Sequence, residues 1–208
     1  MALFTPRLHY YGIPTSDYYN AWNSYQGLNG MPNCVAYTYG RFNELARVTQ
    51  NPYTWPWGNG NQWFAQAQTL GLQTTTGTNV QVGACICWDG GISQEGHTAI
   101  IEQLIRPAPG QPPTAVRISN SLYDPVNRTP QDAMPYFFMG TVQLSNMGHI
   151  EYDNGYYSDY TYQGMIYHPD FPPSVTPVPI LDQLTTVILA FAASLNNKKR
   201  TKKLHLRR

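Results

Sequence analysis

Residues 31–44 read MPNCVAYTYGRFNE, and how this stretch folds decides what the rest of the chain can be. Val35, Ala36, Tyr39, Phe42 and Leu45 recur at helical spacing. Asn33 precedes the run as a good N-cap and Asn51-Pro52 closes off its far side, so the spacing predicts a helix from about Cys34 to Val48. Before it, NSYQGLNGMPN is turn chemistry that ends an irregular, aromatic lead-in over residues 1–33. Cys34 therefore falls in the first turn of a helix, behind a proline turn, where a thiol either packs or reacts.

Outward from this helix, the loop NPYTWPWGNGN leads to a second one, roughly Gln62 to Leu70, stopped by Gly71. The hydrophobic period then changes. Short strands are expected at Val80–Trp88, Thr98–Ile105, Ala115–Ser119, Tyr136–Leu144 and Gln163–Tyr167, separated by clusters of glycine, proline, asparagine and aspartate. Helices first and strands afterwards, with tight turns between the strands, predict an α+β domain in which N-terminal helices pack on an antiparallel sheet. The chain shows no internal repeat.

A chain of 208 residues has the length for one domain with a real core and a short appendage. Hydrophobic residues at 42%, with 16 tyrosines, 17 glycines and 17 prolines, fit a folded chain of many turns and half-buried sheet surface. Three cysteines, Cys34 alone and Cys85 and Cys87 two apart in GACICWDG, do not make a disulfide framework, and a reduced state is the simpler reading. MALFTPRLHYYG has neither the basic start nor the apolar core of a signal peptide, so the expectation is a product made in the cytoplasm.

The net charge of +1 conceals an asymmetry. Seven of the 13 basic residues lie after Asn197, and all 12 acidic ones lie before it, so residues 1–197 carry about −6 and the last eleven +7. No lysine precedes Lys198, which excludes a basic stripe for nucleic acid on the folded body and leaves no specific nucleic-acid partner expected. A boundary falls at HPDFPPSVTPVPI: residues 1–170 form the expected domain and the prolines of 171–180 a stiff linker. Residues 181–197 follow as an amphipathic helix with Leu181, Leu184, Val187, Ile188, Phe191 and Leu195 on one face, and 198–208 as a basic tail. The unbroken apolar run of that helix falls short of the roughly 20 residues a bilayer needs.

A thiol attacks only as thiolate, and a helix N-terminus, with its free N–H groups and dipole, stabilises that anion. It also needs a base and a group that orients the base. Of His9, His97, His149, His168 and His205, His97 is the best placed: in QEGHTAIIEQL, Gly96 ends a loop and His97 opens a strand, a rigid mount that can face a helix end. The others lie in the lead-in, in loops or in the tail.

These residues carry a resemblance. NCVAYTYGR at Cys34, GNGNQWFAQAQTLG at Gly58–Gly71, VGACICWDG followed by GHTAIIE within Val82–Glu102, and ISNSLY at Ile118–Tyr123 resemble, in order, the signature blocks of the CHAP family of cysteine- and histidine-dependent amidohydrolases and peptidases. YQGMIYHP at Tyr162–Pro169 resembles the close of such domains, so the likeness extends over about 15–170. The resemblance implies a papain-like fold with Cys34 as nucleophile, His97 as base and Asn120 as the third member. Many relatives place a glutamate and an asparagine close together at the end of the matching strand, whereas RISNSLY holds no acid. Glu102 stays open as the rival orienting group, although five residues from His97 on one strand it should face the other side of the sheet.

The implied activity is hydrolysis of an amide bond of bacterial peptidoglycan, as amidase or endopeptidase, by a phage endolysin or a virion tail-associated lysin. The alternatives are a structural or wall-binding virion protein on a degenerate scaffold of this kind, and a cytoplasmic thiol peptidase acting on proteins. Trp55, Trp57 and Trp63 are candidates for a sugar-stacking wall, with core packing as their other reading, and Asn33 beside the nucleophile is a further substrate-binding candidate. Cys85 and Cys87 share a strand face and are expected to pack in the core. Relatives that bind calcium do so through an acidic loop before the nucleophile. SYQGLNGMPN holds no carboxylate, so neither metal nor cofactor is expected. The C-terminal helix and tail offer self-association, attachment to other virion proteins, or a hold on an anionic surface such as teichoic acid or lipid headgroups.

Overall fold

A computed structural model of the chain describes residues 6–14, 16–24, 31–46, 55–123 and 134–169. The Pro-rich linker, the amphipathic helix and the basic tail expected over 171–208 lie outside the described residues, as do the loop residues 25–30 in which no acidic metal-binding run was expected.

Two helices and an antiparallel sheet form the domain, the α+β arrangement expected. Helix α1 spans Cys34–Ala46 and α2 spans Gly60–Thr69. Asn33 caps α1 through its side-chain oxygen, which accepts the Val35 N–H at 2.9 Å. In α2 the Gln62 side chain reaches back to the Asn59 N–H at 3.1 Å, and this lets the helix begin two residues before the expected Gln62. A 3-10 turn at Tyr18–Ser24 gives the lead-in more order than its composition suggests.

The eight strands are β1 (Thr74–Thr75), β2 (Cys85–Asp89), β3 (His97–Ile105), β4 (Ala115–Ser121), β5 (Phe137–Gln143), β6 (His149–Tyr152), β7 (Tyr157–Asp159) and β8 (Thr161–Ile166). They line up as β1-β8-β2-β3-β4-β5-β6-β7, every pairing antiparallel. Five correspond to the expected strands. Of these, β2 starts at Cys85 and not Val80, because Gly83 takes a left-handed φ of +86° and the preceding residues form a turn. Two differences bear on the site: β3 opens at His97 itself, and β4 runs on to Ser121, carrying Asn120 within the sheet.

Alternation along the strands makes two cores. One face presents Ile86, Trp88, Ala99, Ile101, Val116 and Ile118 together with Val142, Ile150 and Met165 of β5, β6 and β8, joined by Met147 from the turn before β6. The other presents Cys85, Cys87, Ile100 and Ile166 to Val35, Phe42 and Leu45 of α1 and to Trp63, Phe64 and Ala67 of α2. Cys85 and Cys87 are free thiols packed in this second core with their sulfurs 3.7 Å apart. A third cluster of Tyr19, Met31, Ala36, Tyr37 and Phe137 covers the far side of α1, so α1 is buried on more than the one face its apolar period shows.

Candidate active site

Cys34 is the first residue of α1, His97 the first of β3, and Asn120 lies near the end of β4. Strands β3 and β4 pair with Ile100 opposite Ser119 and Ile101 opposite Ile118. His97, Ala99 and Ile101 therefore share a face with Ile118 and Asn120, and the His97–Asn120 diagonal is a side-chain neighbour pair. Its geometry is direct: His97 Nε2 lies 3.1 Å from Asn120 Oδ1, with both residues buried. The Asn120 amide is oriented by its other end, since Nδ2 donates to the Phe138 carbonyl at 3.3 Å. Oδ1, an acceptor only, then requires the proton on Nε2 and leaves Nδ1 as the basic nitrogen.

Glu102 goes elsewhere. It is the bulged residue between Ile101 and Gln103, on the α1 side of the sheet. Its carboxylate takes both Nε and Nη2 of Arg41 at 2.8 Å and the Ser119 hydroxyl at 2.5 Å. Arg41 is itself buried and also pairs with Glu44, which Arg7 contacts in turn. The structure thus brings Asn120, and not Glu102, to His97, and gives Glu102 the task of holding α1 on β3.

The thiol of Cys34 sits against Thr98, the residue after His97. Thr98 also meets α1 one turn further on, where the Thr38 and Thr98 hydroxyls are 3.0 Å apart in a buried contact. Cys34 is only half-buried as a residue, yet its thiol is enclosed enough that burial pushes it above the ordinary cysteine value; hydrogen bonds from the Thr98 backbone and hydroxyl and from the Val35 and Cys34 amides pull the other way. Burial lowers His97 to about 4, against a smaller upward pull from Asn120. At neutral pH both groups are therefore uncharged, a neutral thiol and a neutral imidazole.

Glycines let the elements come this close. A Cβ on Gly60, the first residue of α2, would lie 2.7 Å from the His97 backbone nitrogen. One on Gly96, whose φ is +72°, would lie 2.3 Å from the Trp88 carbonyl and 2.4 Å from the Asn61 nitrogen. The loop before His97 is fastened to the same helix end, the Asn61 backbone and side-chain N–H groups donating to the Glu95 and Gln94 carbonyls at 2.9 and 3.1 Å.

The tryptophans do not form a wall. Trp63 is fully buried in the helix-side core, and Trp55 is sealed against Phe42 and His168 with ring centroids at 4.6 and 5.7 Å. Trp57 alone of the three presents a face to solvent, at 67% exposure. Asn33 is buried and its oxygen is engaged in capping α1. Two residues with no sequence signal join the site instead: Trp88 and Tyr160, whose rings lie 5.8 and 5.4 Å from that of His97.

With this geometry in place, comparison with known proteins adds a family. The family model described as the CHAP domain matches residues 23–111. The matched stretch holds Cys34 and His97; Asn120 and Tyr160 lie beyond it, as do the blocks at Ile118–Tyr123 and Tyr162–Pro169 that were read from the sequence. No solved structure matches the chain.

Proposed function

Proceeding from the match of residues 23–111 to the CHAP domain family, we propose that the protein hydrolyses an amide bond of bacterial peptidoglycan, with Cys34 as nucleophile, His97 as general base and Asn120 as the group that orients His97. The observation that supports this most is the buried His97 Nε2–Asn120 Oδ1 hydrogen bond of 3.1 Å, which leaves the other ring nitrogen basic, together with a cysteine at a helix start whose thiol meets Thr98, the residue after His97. In the reaction Nδ1 of His97 takes the Cys34 proton and the sulfur bonds to the amide carbonyl carbon. The oxyanion meets donors including the Cys34 backbone N–H, one of the free amides of the helix end. The imidazolium then protonates the leaving amine, the C–N bond breaks, and water activated by the neutral imidazole releases the acid from the thioester and restores the thiol.

The expected context is phage lysis, as an endolysin or a virion-associated lysin, with the basic C-terminus holding an anionic surface. The deciding experiment is digestion of purified Gram-positive walls by wild type, Cys34→Ala and His97→Ala, with mass analysis of the fragments. Lysis by wild type alone, with each variant down about 100-fold or more, supports the proposal, and the new termini assign amidase or endopeptidase. Absence of lysis by folded wild type on walls of several bacteria favours the binding or structural role.

A further inference from the structure

The hydrogen bond to Asn120 fixes one atom of the His97 imidazole, and a change in the tilt of the ring about that contact would change the direction of Nδ1. A flat contact on the ring face removes that freedom. The Tyr160 ring makes such a contact, with centroids 5.4 Å apart and planes 11° from parallel, an offset stack. Tyr160 is itself held: its N–H donates to the Gly148 carbonyl at 2.8 Å, and its ring lies over Gly91, where a Cβ would come within 2.5 Å of Cε1. Trp88 completes the enclosure, 5.8 Å from His97 and 6.1 Å from Tyr160.

We propose that Tyr160 is a positioning residue for His97, its ring stacking on the imidazole to fix the direction of Nδ1 and to keep water from that face, in a space that Gly91 leaves open. This rests on the reading of His97 as the base. The groups shown around the imidazole are Asn120 from β4, Trp88 from β2 and Tyr160 from the turn between β7 and β8, while the start of α2 lies against the His97 backbone. Cys34 and Tyr152 are the nearby titratable groups, both within electrostatic reach of the Tyr160 hydroxyl. Among the described residues no charged side chain acts on His97: burial and the Asn120 bond account for its shift, and the Tyr160 ring packs against the imidazole.

The test is NMR titration of 13C-labelled histidine in wild type, Tyr160→Phe and Tyr160→Ala, the His97 signal being assigned with His97→Gln, alongside wall hydrolysis by the same proteins. His97 should titrate near 4 in wild type and in Tyr160→Phe, which keeps the ring. In Tyr160→Ala it should move up by about one unit or more, with kcat down roughly tenfold to 100-fold and KM little changed. Should Tyr160→Ala not fold, Tyr160→Leu and Gly91→Ala, which respectively replace and displace the ring, should give the same upward move. An unmoved His97 titration in the ring-removing variants overturns the proposal, and so does a Phe variant as impaired as the Ala variant, because the hydroxyl would then be the active group. If wild type hydrolyses no wall while His97 still moves on loss of the ring, the hydrolase reading falls and the hold on the imidazole stands.

Discussion

His97 is neutral because it is buried, and the same burial makes it a pH-sensitive part of the fold. Its folded value of about 4 lies below the ordinary histidine value of 6.5, so between those limits the unfolded chain binds a proton that the folded chain does not. Stability from this residue is fully present above about pH 6.5 and is lost as pH falls toward 4, by at most about 3 kcal/mol. Denaturant unfolding of wild type and His97→Gln at pH 7 and pH 4.5 measures it: the wild type should lose more stability on acidification, and equal losses would refute the assignment. Cys34 and His97 were legible in the sequence because each sits beside a punctuating residue, Asn33 for the helix start and Gly96 for the strand start. Asn120 was legible only through the family resemblance. Tyr160 was not legible at all, because its partner lies 63 positions earlier in the chain and only the closure of the sheet brings the two rings together.

At the scale of elements, the site depends on α1 being pinned to β3. The Arg41–Glu102 pair does this from the side of the sheet opposite His97, both side chains being at most 3% exposed. Glu102→Gln removes the bidentate partner of a buried guanidinium that keeps Glu44, so it should cost on the order of 1–3 kcal/mol, visible as a lower urea midpoint. The double variant Arg41→Met, Glu102→Leu should recover much of that loss, since apolar groups of similar volume leave no stranded charge. Equal midpoints for wild type and Glu102→Gln would remove the pair from the account. The long elements were readable because each carries its own period and its own stop. Strands β1, β6 and β7 were not: they run for two, four and three residues, and β7 exposes Tyr157, so their order comes from pairing with distant partners and not from local preference. The bulge at Glu102 was equally invisible, although simple alternation already placed that residue on the face away from His97.

For the whole chain, charge separation along the sequence governs how the protein would meet a wall. Residues 1–197 carry about −6 and the last eleven +7. Gram-positive walls bear polyanions, so an acidic body is repelled and a basic terminus attracted, each over a range of about 10 Å at 0.1 M salt. Truncation after Ser174 removes all seven C-terminal cations and one carboxylate, Asp182, and leaves a net charge near −5. The full chain should therefore bind walls best at low ionic strength and release as salt is added. The truncated chain should bind weakly at low salt and gain, not lose, affinity as salt screens the repulsion. Hydrolysis of small soluble muropeptides, which present little polyanion, should be alike in the two forms, while hydrolysis of intact walls at low salt should favour the full chain. Co-sedimentation with purified walls across 0.02–0.5 M salt reads the binding, and salt curves of the same sign for both chains would deny the terminus this anchoring role. The muropeptide assay separates that outcome from damage to Cys34 and His97, since a site impaired by truncation would fail on soluble substrate as well.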